Sequence, residues 1–136
     1  MWTDAGHGNL YTTNLAGSVG IGTTSINDPA YKLFVEGAIH ARKMKVDPAA
    51  WPDYVFTNDY RLPTLAELQE YINKHKHLPD VPSAEQVNDK GLDLGENQAV
   101  LLKKIEELTL YVIEQNKKID QQQEQINELR SLIKKK

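Results

Sequence analysis

The last third of the chain carries apolar side chains at intervals of alternately four and three residues. Eight of the ten positions with this spacing hold Leu, Ile or Val. The ten positions, called the seam below, are Leu101, Ile105, Leu108, Val112, Gln115, Ile119, Gln122, Ile126, Leu129 and Ile133. Because a repeat of 3.5 residues is typical of helices that supercoil around one another, the seam predicts a coiled coil between copies of the chain.

The number of strands in this coiled coil stays open from the heptads alone. Ile and Val occupy position a, and Leu at three of the five d positions favours two strands. Leu102 at position e, with Tyr111 and Leu132 at position g, widens the apolar face beyond that of a dimer. Gln115 and Gln122 place amides in successive d layers, which tends to define register at some cost in stability.

Charged residues beside the seam contribute little to partner choice. The e/g pairs carry almost no charge complementarity, so a homo-oligomer is the simplest interpretation; the pairs are Lys104–Thr109, Lys118–Gln123 and Gln125–Arg130. Glu106 and Glu107 are predicted to face solvent rather than to form an acid–base pair.

Residues 1–46 have the pattern of short strands and turns. Residues 19–24 alternate apolar residues with glycine, and residues 31–36 and 38–46 are rich in β-forming residues. Glycine in a strand permits close approach of another backbone. We therefore expect the apolar side chains of this segment to meet the same side chains of partner chains; they are Val19, Ile21, Leu33, Val35 and Ile39.

Residues 47–93 are predicted to form a small α/β insert. Pro52 suggests that residues 51–56 are an extended edge segment, because proline cannot donate to a sheet ladder. Thr64 and Ser83 begin capping-box patterns, which predict a helix over residues 65–76 and a shorter helix that stops near Gly91. The third segment, residues 94–136, is the coiled-coil helix.

Aromatic residues concentrate in the insert. Trp51, Tyr54 and Phe56 are expected to form its core, because so small a domain needs large apolar side chains. Tyr60 and Tyr71 are left as a candidate recognition surface, since aromatic residues are favoured where proteins bind other molecules.

Composition excludes several classes of function. The net charge of −3 gives no general attraction to nucleic acid, no apolar run is long enough to cross a membrane, and the absence of cysteine excludes disulfides and thiolate metal sites. His75 and His77 are two residues apart and do not share a helix face. Gly20 and Gly22 lack the third glycine and the lysine of a phosphate loop. We therefore predict no catalytic residue, no cofactor and no metal.

Several stretches resemble the carboxyl-terminal domain of tail-fibre-like surface proteins from Bacteroidota and their phages. The stretches follow one another in the order and spacing typical of that family. They are residues 17–24 (GSVGIGTT), 31–37 (YKLFVEG), 41–43 (ARK), 51–56 (WPDYVF), 60–63 (YRLP), 77–83 (HLPDVPS) and 101–116 (LLKKIEELTLYVIEQN).

The resemblance implies an elongated α+β homotrimer with intertwined β strands at the amino-terminal part, a small α/β insert and a parallel coiled coil. The number three comes from this resemblance. It also implies an extracellular place, on a cell surface or a virion, and a non-enzymatic role in trimerisation and assembly. A receptor-binding tip that recognises a cell-surface receptor or a glycan is an alternative.

The chain is also similar to the intramolecular chaperone domains of phage endosialidases and tailspikes. Many members of that family cut themselves off with a serine. None of the four serines here, Ser18, Ser25, Ser83 and Ser131, lies in that family's cleavage motif. The assembly role is therefore carried over, and self-cleavage is kept only as a further alternative.

Overall fold

The computed structural model describes residues 2–4, 10–12, 16–47 and 51–134. It is a mixed structure of helices and small sheets with one long carboxyl-terminal helix, which confirms the α+β class. The chain divides into two compact units, Met1–Met44 and Lys45–Lys136. The insert and the long helix therefore belong to one unit.

The first unit contains two small sheets. Strand β1 (Trp2–Asp4) pairs antiparallel with β2 (Leu10–Thr12). Strand β3 (Val19–Ile21) pairs in parallel with β4 (Leu33–Val35), with Val19 opposite Leu33 and Ile21 opposite Val35.

Two glycines shape the turn after β3. A Cβ atom at Gly20 would lie 2.4 Å from the carbonyl oxygen of Thr23, so no larger residue fits without a shift of the backbone. Gly22 has a φ of +74°, in the left-handed region that favours glycine. Both glycines are thus explained by contacts within one chain.

Residues 38–46 do not form the strand that the sequence predicts. Within the described range 16–47, the chain after β4 is irregular, and Ile39, Met44 and Val46 are exposed. A strand needs a neighbour to pair its backbone groups. This stretch has no such neighbour in the described part of its own chain, so its β-forming residues alone do not produce a strand.

The second unit begins with a 3₁₀ helix, Asp53–Phe56, where the sequence predicts an extended segment. The carbonyl oxygen of Pro52 accepts a hydrogen bond from the Val55 N–H at 3.1 Å. Proline suits the start of a helical turn as well as an edge strand, because its φ is close to the helical value. The extended prediction is therefore wrong.

Both predicted capping boxes are confirmed. Thr64 caps helix α1 (Leu65–His75) and Ser83 caps helix α2 (Ala84–Lys90). Helix α1 ends at His75, and the capping residue Lys76 adopts a left-handed conformation with φ 63°. Helix α2 ends at Gly91, as predicted.

Helix α3 (Leu94–Lys134) has 41 residues, a length of about 60 Å. Asp93 caps its start, because the Asp93 carboxylate accepts a hydrogen bond from the Glu96 N–H at 2.8 Å. The 3₁₀ helix packs against α3.

The core of the second unit is smaller than the aromatic residues of the insert suggest. Among the described residues, Val55 is the apolar side chain that is fully buried, at 1% exposure. Trp51, Tyr54 and Phe56 are each about half exposed, so the prediction that they form the core is wrong for the single chain. The one-turn 3₁₀ helix places Val55, rather than its aromatic neighbours, in the interior.

The capping box of α1 gives a test of this fold. Thr64 accepts a hydrogen bond from the Glu67 N–H at 3.2 Å, and Glu67 accepts one from the Thr64 N–H at 2.7 Å. We expect Thr64→Ala to lower the free energy of unfolding by about 1 kcal/mol. Urea denaturation at one fixed protein concentration measures the change. Thr64→Ser keeps the hydroxyl and serves as the control; an equal loss in both variants would contradict the capping role.

Candidate functional site

The seam lies uncovered along α3. Its eight apolar side chains are between 42% and 74% exposed, and Gln115 and Gln122 are exposed as well. Since residues spaced four and three apart share one face of a helix, the seam is a continuous apolar stripe on the surface of the single chain. The structure thus brings the predicted site residues together on one helix face and leaves that face free.

The insert contacts α3 on faces outside positions a and d. In the described residues, the polar contacts between them involve Lys103 at position f, Lys104 and Tyr111 at position g, and Glu107 at position c. Tyr111 illustrates the pattern, because its hydroxyl donates a hydrogen bond to the Pro63 carbonyl oxygen at 2.6 Å. The insert is therefore positioned beside the seam and does not occlude it.

A buried polar cluster connects the insert to α3. The Tyr60 hydroxyl donates a hydrogen bond to the carboxylate of Glu107, which also accepts one from Lys104 Nζ at 2.9 Å. The carboxylate of Asp80 accepts hydrogen bonds from Lys103 Nζ at 2.8 Å and from Lys104 Nζ at 3.1 Å. This network joins side chains of opposite charge from two parts of the chain, with Lys103, Lys104 and Glu107 largely buried.

Glu106 and Glu107 do not face solvent, and that prediction is wrong. Each is only 8% exposed. Helix periodicity identified the apolar face correctly, but it does not show which polar face another segment will cover. The sequence contained one relevant signal: the insert, residues 47–93, holds nine acidic and four basic side chains, and Lys103 and Lys104 follow it in α3.

The two glutamates differ in their partners. Glu107 is hydrogen-bonded and ion-paired, whereas Oε2 of Glu106 is buried without a hydrogen-bond partner in the described part of the chain. A buried polar atom that has lost water without gaining a partner destabilises the folded state.

The cluster shifts the pKa values of Tyr60 and Asp80 in opposite directions. Burial raises the pKa of Tyr60 to about 12, and the hydrogen bond to Glu107 and its negative charge act in the same direction. A hydrogen bond from Lys103 lowers the pKa of Asp80, with Lys104 adding to the effect. Both shifts favour the protonation states in which the network is formed.

An open groove of ≈ 490 Å³ lies between α1 and the seam. Leu65 and Leu68 of α1 and Leu78 form one wall, and Lys104, Glu107 and Tyr111 lie on the same flank of α3. Seam residues form the other wall; they are Leu101, Ile105, Leu108, Val112 and Gln115. Leu65 and Leu68 of α1 are therefore directed at the flank of the seam.

The candidate recognition residues Tyr60 and Tyr71 are both half-buried. The hydroxyl of Tyr60 is directed inward at Glu107. The ring of Tyr71 stacks on His75 at 4.3 Å and meets His77 edge-on at 5.8 Å. Among the described residues, no three metal-binding side chains converge on one point.

Three of the serines named above have local structural contacts. Ser83 caps α2, accepting a hydrogen bond from the Gln86 N–H at 3.2 Å. The hydroxyl of Ser18 donates to the Tyr31 carbonyl oxygen at 2.9 Å, and that of Ser131 donates to the Glu128 carbonyl oxygen at 2.8 Å.

Comparison of the chain with protein-family models, curated proteins and solved structures gave no match. The resemblance to tail-fibre-like proteins therefore stays a prediction from the quoted residues. Within the described residues, none of the helices combines the length and the apolar character that crossing a membrane requires.

The unequal partners of Glu106 and Glu107 predict opposite mutational effects. Methionine has a similar helix propensity and removes the carboxylate. We expect Glu107→Met to lower the free energy of unfolding by about 1–3 kcal/mol, because it leaves Tyr60 and Lys104 without their partner. We expect Glu106→Met to raise it. Thermal denaturation of both variants at equal concentration tests the pair; an equal loss in both would show that Glu106 has a partner in the folded protein.

The raised pKa of Tyr60 predicts a loss of stability in alkali. Between the ordinary tyrosine pKa of 10.0 and the folded value of about 12, the unfolded chain releases a proton that the folded chain retains. The free energy of unfolding therefore falls as the pH rises across this interval. Tyr60→Phe should reduce the slope of the free energy of unfolding against pH. Part of the slope should remain, because burial also raises the pKa of Tyr111. Denaturation curves between pH 9 and 12 measure both slopes; identical slopes would contradict the assignment.

Proposed function

We propose that this chain is a non-enzymatic self-association module, in which the α3 helices of identical copies pack in parallel along the seam. One observation carries the proposal: the apolar seam is exposed over the whole of α3, while the insert occupies other faces of the same helix. An insert placed on the seam would have made the helix part of a monomeric core. Its actual position leaves an interface that another copy can cover.

The energetics of the seam favour association. Covering one half-exposed Leu or Ile contributes on the order of 1 kcal/mol. Eight such side chains in each copy are sufficient to offset the loss of translational and rotational freedom, which costs about 4–15 kcal/mol. Isolated helices gain little from propensity alone, so most of the stability of the carboxyl-terminal half of α3 would come from this packing.

We propose three copies in the assembly. The number rests on the resemblance to tail-fibre-like proteins, and the width of the apolar face supports it. Leu132 at position g is 61% exposed next to the seam, where a two-stranded coil would leave it in solvent. Gln115 and Gln122 would then form two amide layers that keep the chains in register.

The proposed role of the coiled coil is to align the amino-terminal segments of the copies. Holding the chains together at α3 raises the effective concentration of their glycine-rich segments for one another. Ile21, Leu33 and Ile39 are more than half exposed in the single chain, which supports burial against partner chains. In this proposal, the assembly forms the end of a fibre on a cell surface or a virion.

A second proposal is that the insert is a receptor-binding tip. Trp51, Tyr54 and Phe56 expose about half of their surface. Exposed aromatic side chains are favoured in recognition of sugars and proteins. Binding of the intact protein to a glycan array measures this function. Loss of the binding in Trp51→Ala would support it, provided that this variant keeps the oligomeric mass and the folding of the wild-type protein.

The seam makes a direct prediction about oligomeric mass. We expect the double variant Ile119→Asp with Ile126→Asp to dissociate, because charges at consecutive a layers cannot be buried without partners. Multi-angle light scattering measures the mass. Gln121→Asp with Asn127→Asp adds the same charge at positions c and b, where we expect the wild-type mass. An unchanged mass in the Ile variants, or a monomeric wild-type protein, would contradict self-association.

A further inference from the structure

The groove between α1 and the seam continues the proposed interface beyond the coiled coil. Its floor includes seam residues from Leu101 to Gln115, so a helix that packs on the seam must also lie against the groove. Its outer wall is Leu65, Leu68 and Leu78, and Leu65 remains 49% exposed in the single chain. The groove is thus apolar, open and directly beside the surface on which a second copy would lie.

The groove lies on one flank of α3, and this flank determines which face of a neighbouring α3 helix the groove meets. Lys104 and Tyr111 place it on the g side of α3. In a parallel coiled coil, position g of one helix faces position e of the next, and position b lies just outside e. The groove of one copy therefore faces the e and b positions of its neighbour.

Ile113 is an apolar side chain without a role in the single chain. It occupies position b, outside the seam, and it is 47% exposed. Position b is normally polar in a coiled coil, because it faces solvent. Position b one heptad earlier is Glu106, which is only 8% exposed, so the exposure of Ile113 is not shared by the preceding b position.

The heights of the two apolar features along the helix axis coincide. The hydrogen bond from Tyr111 to the carbonyl oxygen of Pro63 places the start of α1 beside Tyr111. In parallel helices in register, Ile113 of a neighbour lies about 3 Å along the axis from the level of Tyr111. Leu65, two residues after Pro63, lines the groove together with Val112 and Gln115, whose heights along the axis bracket that of the neighbour's Ile113.

We infer that α1 of each copy docks on the neighbouring copy, with Leu65 and Leu68 packed against the neighbour's Ile113. This inference rests on the proposed function, because it requires parallel α3 helices in register. The insert then packs against the α3 helix of the neighbouring copy as well as against its own. Around a closed assembly, each copy contributes one groove and one Ile113, so every contact repeats.

Site-directed crosslinking tests this contact, since the native chain contains no cysteine. A tagged Leu65→Cys chain and an untagged Ile113→Cys chain are refolded together and treated with a short bismaleimide. Each chain then holds one thiol, so every crosslink between the two variants joins two copies. We expect a covalent adduct of one tagged and one untagged chain on a denaturing gel.

The matched control uses the adjacent residue on the opposite flank. Glu114 lies at position c, at nearly the same height as Ile113, and it is exposed. Leu65→Cys mixed with Glu114→Cys should give no adduct in a parallel assembly. An adduct with Glu114→Cys but not with Ile113→Cys would overturn the inference.

A third variant separates failure of the groove from failure of the assembly. Val112 lies in an a layer, where identical residues of parallel copies meet, so Val112→Cys should crosslink to itself. If Val112→Cys crosslinks and the Leu65/Ile113 mixture does not, the docking inference is wrong and the coiled coil stands. If Val112→Cys gives no adduct and the wild-type protein is monomeric, the proposed function and the inference both fail.

Discussion

The exposed apolar stripe of α3 is the constraint on which the rest of the second unit depends. A helix of 41 residues with Leu, Ile and Val along one face is stable in water only when that face packs against protein. The insert is too small to cover a helix of this length, and its hydrogen bonds to α3 involve residues between Lys103 and Tyr111. Most of the stripe is therefore uncovered in the single chain.

The buried polar cluster explains how the insert avoids the seam. Tyr60 and Asp80 bind charged side chains on the polar flank of α3, where Lys104 and Glu107 are available. Charged groups removed from water are tolerated only when they are paired and hydrogen-bonded. The cluster thus directs the insert to one flank and makes that position specific, whereas apolar contacts alone would have favoured the seam.

This arrangement divides α3 into two faces. One face belongs to the chain's own insert through Tyr60, Pro63 and Asp80, and the other carries the seam. The groove lies where the two faces meet, with Leu65 on one side and Val112 on the other. An insert held at this boundary leaves the seam accessible for the proposed coiled coil and stands beside the proposed interface between copies.

The sequence by itself determined the elements that depend on local chemistry. The seam followed from helical periodicity, and Thr64 and Ser83 identified the starts of α1 and α2 because capping is a contact between residues three apart. These features need no knowledge of distant parts of the chain.

Only the tertiary structure decided which surfaces are covered. The burial of Glu106 and Glu107 depends on contacts between distant residues, such as Tyr60 and Glu107. Periodicity distinguishes an apolar face from a polar one, but a polar face can meet solvent or the oppositely charged side chains of another segment. That choice is made by the packing of the insert on α3.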